Sequence, residues 1–240
     1  MFEPLTPAEW TAIALSLRVA IVAAVASLPV GIALAYILAR GRFPGHAALD
    51  AVVHLPLVIP PVATGYLLLI TFGRRGPVGA FLDNAFGVTL AFNWTGAALA
   101  SAIMALPLMV SAIRLSLEAI DTRLETAAAT LGAGRLGVLT TVTLPLALPG
   151  ILAGVVLAFA RGLGEFGATI TFVGNIPGAT QTVPSAIHTY IETPNGTGGA
   201  LRLTLVSIAI AFVALLASNA VARRVAARVA GVVARAGARA

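Results

Sequence analysis

No lysine occurs in this 240-residue sequence; all 15 basic residues are arginine. A Walker A phosphate loop needs a Gly-Lys-Ser/Thr step to hold nucleotide phosphates, so the chain cannot itself be an ATPase of that kind. Schiff-base and Ser-Lys catalysis are excluded on the same ground. Cysteine is absent too, which removes disulfides, thiolate nucleophiles and cysteine metal sites and leaves the redox compartment unreadable. There is no His-Glu-x-x-His and no Gly-x-Ser-x-Gly, so an intramembrane enzyme is the poorest of the functional readings. Charge is the scarcest commodity. Only 10% of residues are charged, against about a quarter in soluble domains. With 59% apolar residues, the chain cannot cover a water-facing surface. Its solvent is lipid. The formal charge of +6 then points to membrane orientation by arginine and not to nucleic acid.

A spanning helix needs about 20 apolar residues to cross about 30 Å of hydrocarbon. Five stretches qualify, which predicts an all-α polytopic bundle. They run at about Val19 to Ala39 (with Pro29 inside), Val52 to Phe72 (with Pro56, Pro60 and Pro61), Trp94 to Ile113, Leu148 to Val173, and Leu203 to Val221. The fourth is interrupted by Arg161 and Glu165. Arg40 and Arg42 fall in the first loop, Arg114, Arg123 and Arg135 in the third, and Arg223, Arg224, Arg228, Arg235 and Arg239 in the tail. Five spans put all of these on one side, which the positive-inside rule makes the cytoplasm. Arg74, Arg75 and Arg202 fall opposite, with Arg18 snorkelling toward them. The amino terminus is expected outside and the carboxyl terminus inside. Glu3 and Glu9 without early positive charge predict no cleavable signal peptide. Residues 1–222 form the expected membrane domain, and 223–240 a basic cytoplasmic tail that is either solvated or laid on anionic lipid.

The longest expected cytoplasmic connection is Arg114 to Leu144 (about 114–145). Leu117, Ile120, Leu124, Ala128 and Leu131 recur as one face of an amphipathic helix, stopped by Gly132 and Gly134. Periodicity alone is compatible with a helix lying in the membrane interface. Thr126-Ala127-Ala128, then Gly132, then Val142-Thr143-Leu144-Pro145 resembles the loop signature of permease subunits in ABC importers. That signature reads Glu-Ala-Ala, three residues, Gly, nine residues, Ile-x-Leu-Pro. Thr126 stands at the glutamate position, with Glu125 one residue earlier, and Val142 replaces the isoleucine. The resemblance implies that Glu125, Thr126, Ala127, Ala128, Gly132, Leu144 and Pro145 belong to a docking element for a separate ATPase subunit. That partner would use the ATP and magnesium, and the chain itself would bind no cofactor.

Charges inside a span are expensive and suggest function. Arg161 and Glu165, four apart, can also simply neutralise each other and fix packing. Gly162, Gly164 and Gly167 crowd the same stretch, followed by Thr169, Thr171 and Asn175 as polar groups able to line a path. Such threonines can instead satisfy themselves on carbonyls of the preceding turn. Asp50 and His54, also four apart, could relay a proton or only bond locally, and His46 and His188 have no companion at metal-ligand spacing.

The run from Arg161 to Gly178 resembles the permeases of molybdate importers, as do Thr180 to Ile187, Glu192 to Gly196, His54 to Pro61 and Gly73 to Gly76. The likeness spans roughly residues 10 to 222. Sulfate or thiosulfate permeases share a related Gly-Glu-aromatic-Gly stretch and are the alternative. The family likeness implies a dimer of this chain in the lipid bilayer, a binding protein outside, and Pro60, Pro61, Arg161, Gly164, Glu165, Gly167, Thr169, Thr171 and Asn175 near the pathway or its gate. A proton-coupled carrier using Asp50, His54 and Glu165 is the reading from another class; it is favoured by inverted repeats, which are not found.

Overall fold

The computed structural model describes residues 4–237, with side chains through Ala217 and at Ala220. The basic tail expected over 223–240 lies outside the described side chains. All described regular elements are helices.

Helix α1 (Pro7–Arg40) begins on a capping box: the Thr6 hydroxyl accepts from the Glu9 amide, and the Glu9 carboxylate accepts from the Thr6 amide at 2.7 Å. That cap starts the helix twelve positions before the apolar run expected from Val19, because capping and not hydropathy sets a helix start. Arg18 stacks on the Trp94 ring at 3.6 Å. From Arg18 to Arg40 the helix rises about 33 Å at 1.5 Å per residue, close to one hydrocarbon thickness. Arg18 with Trp94 and Arg40 are thus spaced as the two interface anchors of one span.

The expected second span is broken. It forms α2 (His46–Val58) and α3 (Pro61–Phe72), bent by 110° at Ile59-Pro60. Pro60 lacks the amide that would continue α2, and Pro61 is pre-set for the first turn of α3. After α4 (Pro77–Phe86) comes α5 (Trp94–Glu118), the most buried span, five residues longer than expected. The amphipathic helix read from Leu117 to Leu131 is not one element. Leu117 packs in the core at the end of α5, the chain turns at Ala119 to Asp121, and only Thr122–Thr130 forms α6. A pattern of apolar spacing ran across a turn that the Asp121 cap imposes.

Helix α7 (Arg135–Val138), a π turn (Leu139–Thr143) and α8 (Leu144–Leu163) make one rod. Pro145, with no amide to give to the preceding turn, sits just after the widened stretch. The expected fourth span to Val173 ends instead at Leu163, and α9 (Gly167–Val173) is separate. Helices α10 (Val183–Glu192) and α11 (Thr197–Gly237) complete the chain. Among the described residues, four helices are long and apolar enough to cross a membrane, and the bent α2–α3 pair makes up to five spans.

Helices α1, α5 and α8 pack around one core of small and flexible residues, including Ala24, Ala105, Met109, Ile113, Leu117 and Ala158. Alanine and glycine let helices approach where lipid supplies no hydrophobic drive. A second cluster joins Val19, Met104, Ala168, Phe172 and Val173, and a third joins Ile13, Val183, Ala186 and Leu203. The outer face is apolar, with Val25 59% and Ile208 60% exposed, as a lipid-facing surface must be. At the Arg18 end, Glu9 accepts from Arg202 Nη2 at 3.0 Å, and Ser16 Oγ accepts from the Val183 amide at 2.7 Å. These bonds clasp α1 to α11 and α10.

Candidate coupling helix and broken spans

Helix α6 is stopped at both ends by its own sequence. Asp121 Oδ1 accepts from the Arg123 amide at 2.9 Å. At the far end, the Gly132 amide bonds Ala129 O and the Ala133 amide bonds Ala128 O, with Gly132 at φ +92°. That double bond around a left-handed residue is a Schellman stop, which glycine makes without strain. Only Glu125 and Ala128 along α6 are half-buried; Thr126, Ala127 and Ala129 are exposed. Thr126 Oγ1 merely donates to Thr122 O at 3.1 Å.

Glu125 ties this helix to the bundle. One carboxylate oxygen accepts from Arg40 Nη2 at 3.3 Å and from the buried Thr143 hydroxyl at 2.8 Å. Arg40 Nη2 also donates to Ile120 O at 3.4 Å. The end of α1, the start of α6 and the π turn before α8 thus meet on one atom. Leu144 is half-buried beside the core and Pro145 exposed, so the Leu-Pro step serves as the start of α8 and not as a contact to α6.

The two breaks interlock. A Cβ at Gly65 of α3 would lie 2.5 Å from Ala168 O and 2.8 Å from Thr171 Cβ, and one at Gly167 would lie 2.7 Å from Pro61 Cβ. Helices α3 and α9 therefore touch backbone to backbone, with Pro61 over Gly167. By contrast, Gly164 has open space and φ −92°, so neither room nor conformation requires glycine there.

Glu165 lies past the end of α8, buried, with Arg161 Nη1 on one oxygen at 2.6 Å and the Ala168 amide on the other at 2.8 Å. It neutralises Arg161 as the spacing allows, but from beyond the end of α8, where it folds back to cap α9. Thr169 donates to Phe166 O at 2.9 Å and Thr171 to Gly167 O at 2.9 Å, each on its preceding turn. Asn175 Nδ2 donates to Thr189 Oγ1 at 2.8 Å, while Asn175 Oδ1 and Thr64 Oγ1 are buried with no partner among the described residues.

Residues 27–227 match the family of binding-protein-dependent transport system inner membrane components. The chain belongs to that family. It is 60% identical over 219 residues to the molybdenum transport system permease protein ModB of Escherichia coli K12, covering 91% of this chain and 96% of that one. It is 53% identical to the ModB protein of Haemophilus influenzae over 90% of this chain and 94% of the relative. The fold matches a solved bacterial ABC transporter involved in alginate import (TM-score 0.72, 19% identity, 92% of this chain and 80% of that one). It also matches inward-facing MetNI, a methionine ABC transporter (TM-score 0.65, 19% identity, 90% and 94%).

In this permease the expected residues form two groups. Glu125, Thr126, Ala127, Ala128 and Gly132 lie together on α6, and Pro60, Pro61, Arg161, Gly164, Glu165, Gly167, Thr169 and Thr171 gather at the two breaks; Asn175 lies beyond α9 beside Thr189. Sequence reasoning missed Arg40 and Thr143 as partners of Glu125, and Ser111 and Arg114 as partners of the Asp50–His54 pair. Arg114 Nη1 reaches Asp50 at 3.1 Å and Arg114 Nε reaches Glu118 at 2.7 Å. The Ser111 hydroxyl lies 2.9 Å from both His54 Nε2 and Pro107 O. These bonds brace α2 against α5. Partners so distant in sequence have no spacing signal; only co-varying relatives could have exposed them.

Proposed function

We propose that this chain is the membrane-spanning subunit of an ATP-driven molybdate importer, in which two copies enclose the pathway. The observation that carries the substrate is the 60% identity maintained over nearly the full length of the molybdenum permease named above. The chain hydrolyses nothing itself. A separate ATPase pair grips the exposed face of α6, and a binding protein delivers the oxyanion at the Arg18–Trp94 end. The α6 end, rich in arginine, faces the cytoplasm.

The lever follows from the geometry of Glu125. A push on α6 reaches α1 through Arg40 and α8 through Thr143, and rotates spans as rigid bodies. Thr126 and Ala127 meet the ATPase with half-buried Ala128 at the edge of that face, Gly132 sets where the helix ends, and Leu144-Pro145 begins α8, the long part of the driven rod. At the other level, α3 and α9 move as one unit, because they interlock at Gly65 and Gly167. The pathway side of that unit offers Pro60, Pro61, Gly164, Gly167, Thr169, Thr171 and Asn175. Arg161 and Glu165 hold the break and present little net charge. A dianion meets weak neutral dipoles there and is released, where several fixed positive charges would trap it.

Proteoliposomes holding this chain, its ATPase and the binding protein should accumulate labelled molybdate when ATP is supplied. Strong sulfate uptake with no uptake of molybdate or tungstate would reassign the substrate to the sulfate relatives.

A further inference from the structure

Where α1 leaves the membrane, a cavity of about 570 Å³ opens between its last turns and the start of the α7–α8 rod. Tyr36, Ile37, Phe43, Leu136 and Leu139 form its apolar wall, and Arg40 and Arg135 stand on it. The wall is not a packed core: Leu136 is 73% exposed and Phe43 40%. Glu125 and Ile120 O occupy only Nη2 of Arg40, and Arg40 Nε is shielded from solvent with no acceptor. Arg135 has no ion-pair partner among the described residues.

We propose that this cavity binds one anionic phospholipid, with its phosphodiester between Arg40 and Arg135 and an acyl chain along Tyr36, Ile37 and Leu136. The depth supports a lipid, since Arg40 lies at the interface set by the rise of α1 from Arg18. The charge selects an anionic lipid. Arg40 alone is paired with a carboxylate, Glu125, so the two guanidinium groups keep a net positive charge, and a zwitterionic headgroup would bring a further cation against them. The greasy wall continues the lipid-facing surface of α1, which argues against a soluble partner. Occupancy would also secure the lever, because the lipid phosphate shares the guanidinium that holds Glu125. The site is independent of the transported substrate.

The permease–ATPase complex can be placed in nanodiscs of equal phosphatidylglycerol and phosphatidylcholine, and the lipids it retains weighed by native mass spectrometry. Wild type should retain phosphatidylglycerol preferentially, at one molecule per permease copy. Arg135→Gln should lower that preference about fivefold, the worth of one arginine at a membrane surface. Arg75→Gln, at the opposite end of the bundle, should leave it unchanged. Equal loss in both variants, or no preference in wild type, would overturn the proposal. So would displacement by millimolar inorganic phosphate, which would mean a free-phosphate site. Weaker ATPase co-purification of Arg135→Gln with lipid retention intact would assign the surface to the ATPase and overturn it as well.

Discussion

A single oxygen of Glu125 carries the Arg40 guanidinium and the Thr143 hydroxyl, and Thr143 is 1% exposed. Replacing Thr143 with valine keeps the shape and removes the donor, which should cost about 1.5–3 kcal/mol as a hydrogen bond to a charged group. Hydrogen exchange in residues 122–130 should accelerate in that variant while the spans stay protected. The Arg161–Glu165 pair predicts an asymmetry. Arg161→Met strands a carboxylate that is 1% exposed, at about 3–5 kcal/mol. Glu165→Gln keeps an acceptor for the Ala168 amide and leaves an arginine that is 27% exposed, so it should cost clearly less. Unfolding titrations of the two variants in mixed micelles would rank them, and equal losses would contradict the capping role of Glu165. Spacing made the Arg161–Glu165 pair legible. It could not reveal Arg40 and Glu125, 85 residues apart, because no local rule relates them.

Among the elements, hydropathy located the spans and failed at their interruptions. The apolar run from Val52 to Phe72 hides a 110° bend because valine and leucine suit both halves; only Pro60-Pro61 marks the join. Likewise Phe166 to Val173 continues the apolar composition of α8 past the break at Gly164. The short α6 was legible as a motif but not as a length, since Leu117 and Ile120 belong to the end of α5 and its turn. Two outcomes follow at this scale. Gly65→Ala should drive α3 from α9, where its Cβ would meet Ala168 O at 2.5 Å, and lower stability by about 1–3 kcal/mol. A thermal-unfolding assay checks it. Gly132→Val meets no atom within 4 Å, so its cost is backbone strain of about 1–3 kcal/mol at φ +92°. The subunit should still insert, while co-purification of the ATPase falls.

For the whole molecule, the account separates tasks. Lipid-facing helices hold α3 and α9 together as an interlocked pair, and a nine-residue helix outside the core is joined to two spans through one carboxylate. The chain contains no lysine for a Walker A loop, so in the proposed importer the nucleotide is hydrolysed by a partner subunit. Concentrative uptake measured in proteoliposomes with and without the ATPase subunit tests this most directly, with the binding protein present in both. Accumulation of molybdate above the external level should require the ATPase and ATP and should fall steeply in Gly132→Val. Accumulation by the permease without a nucleotide-hydrolysing partner would contradict the account.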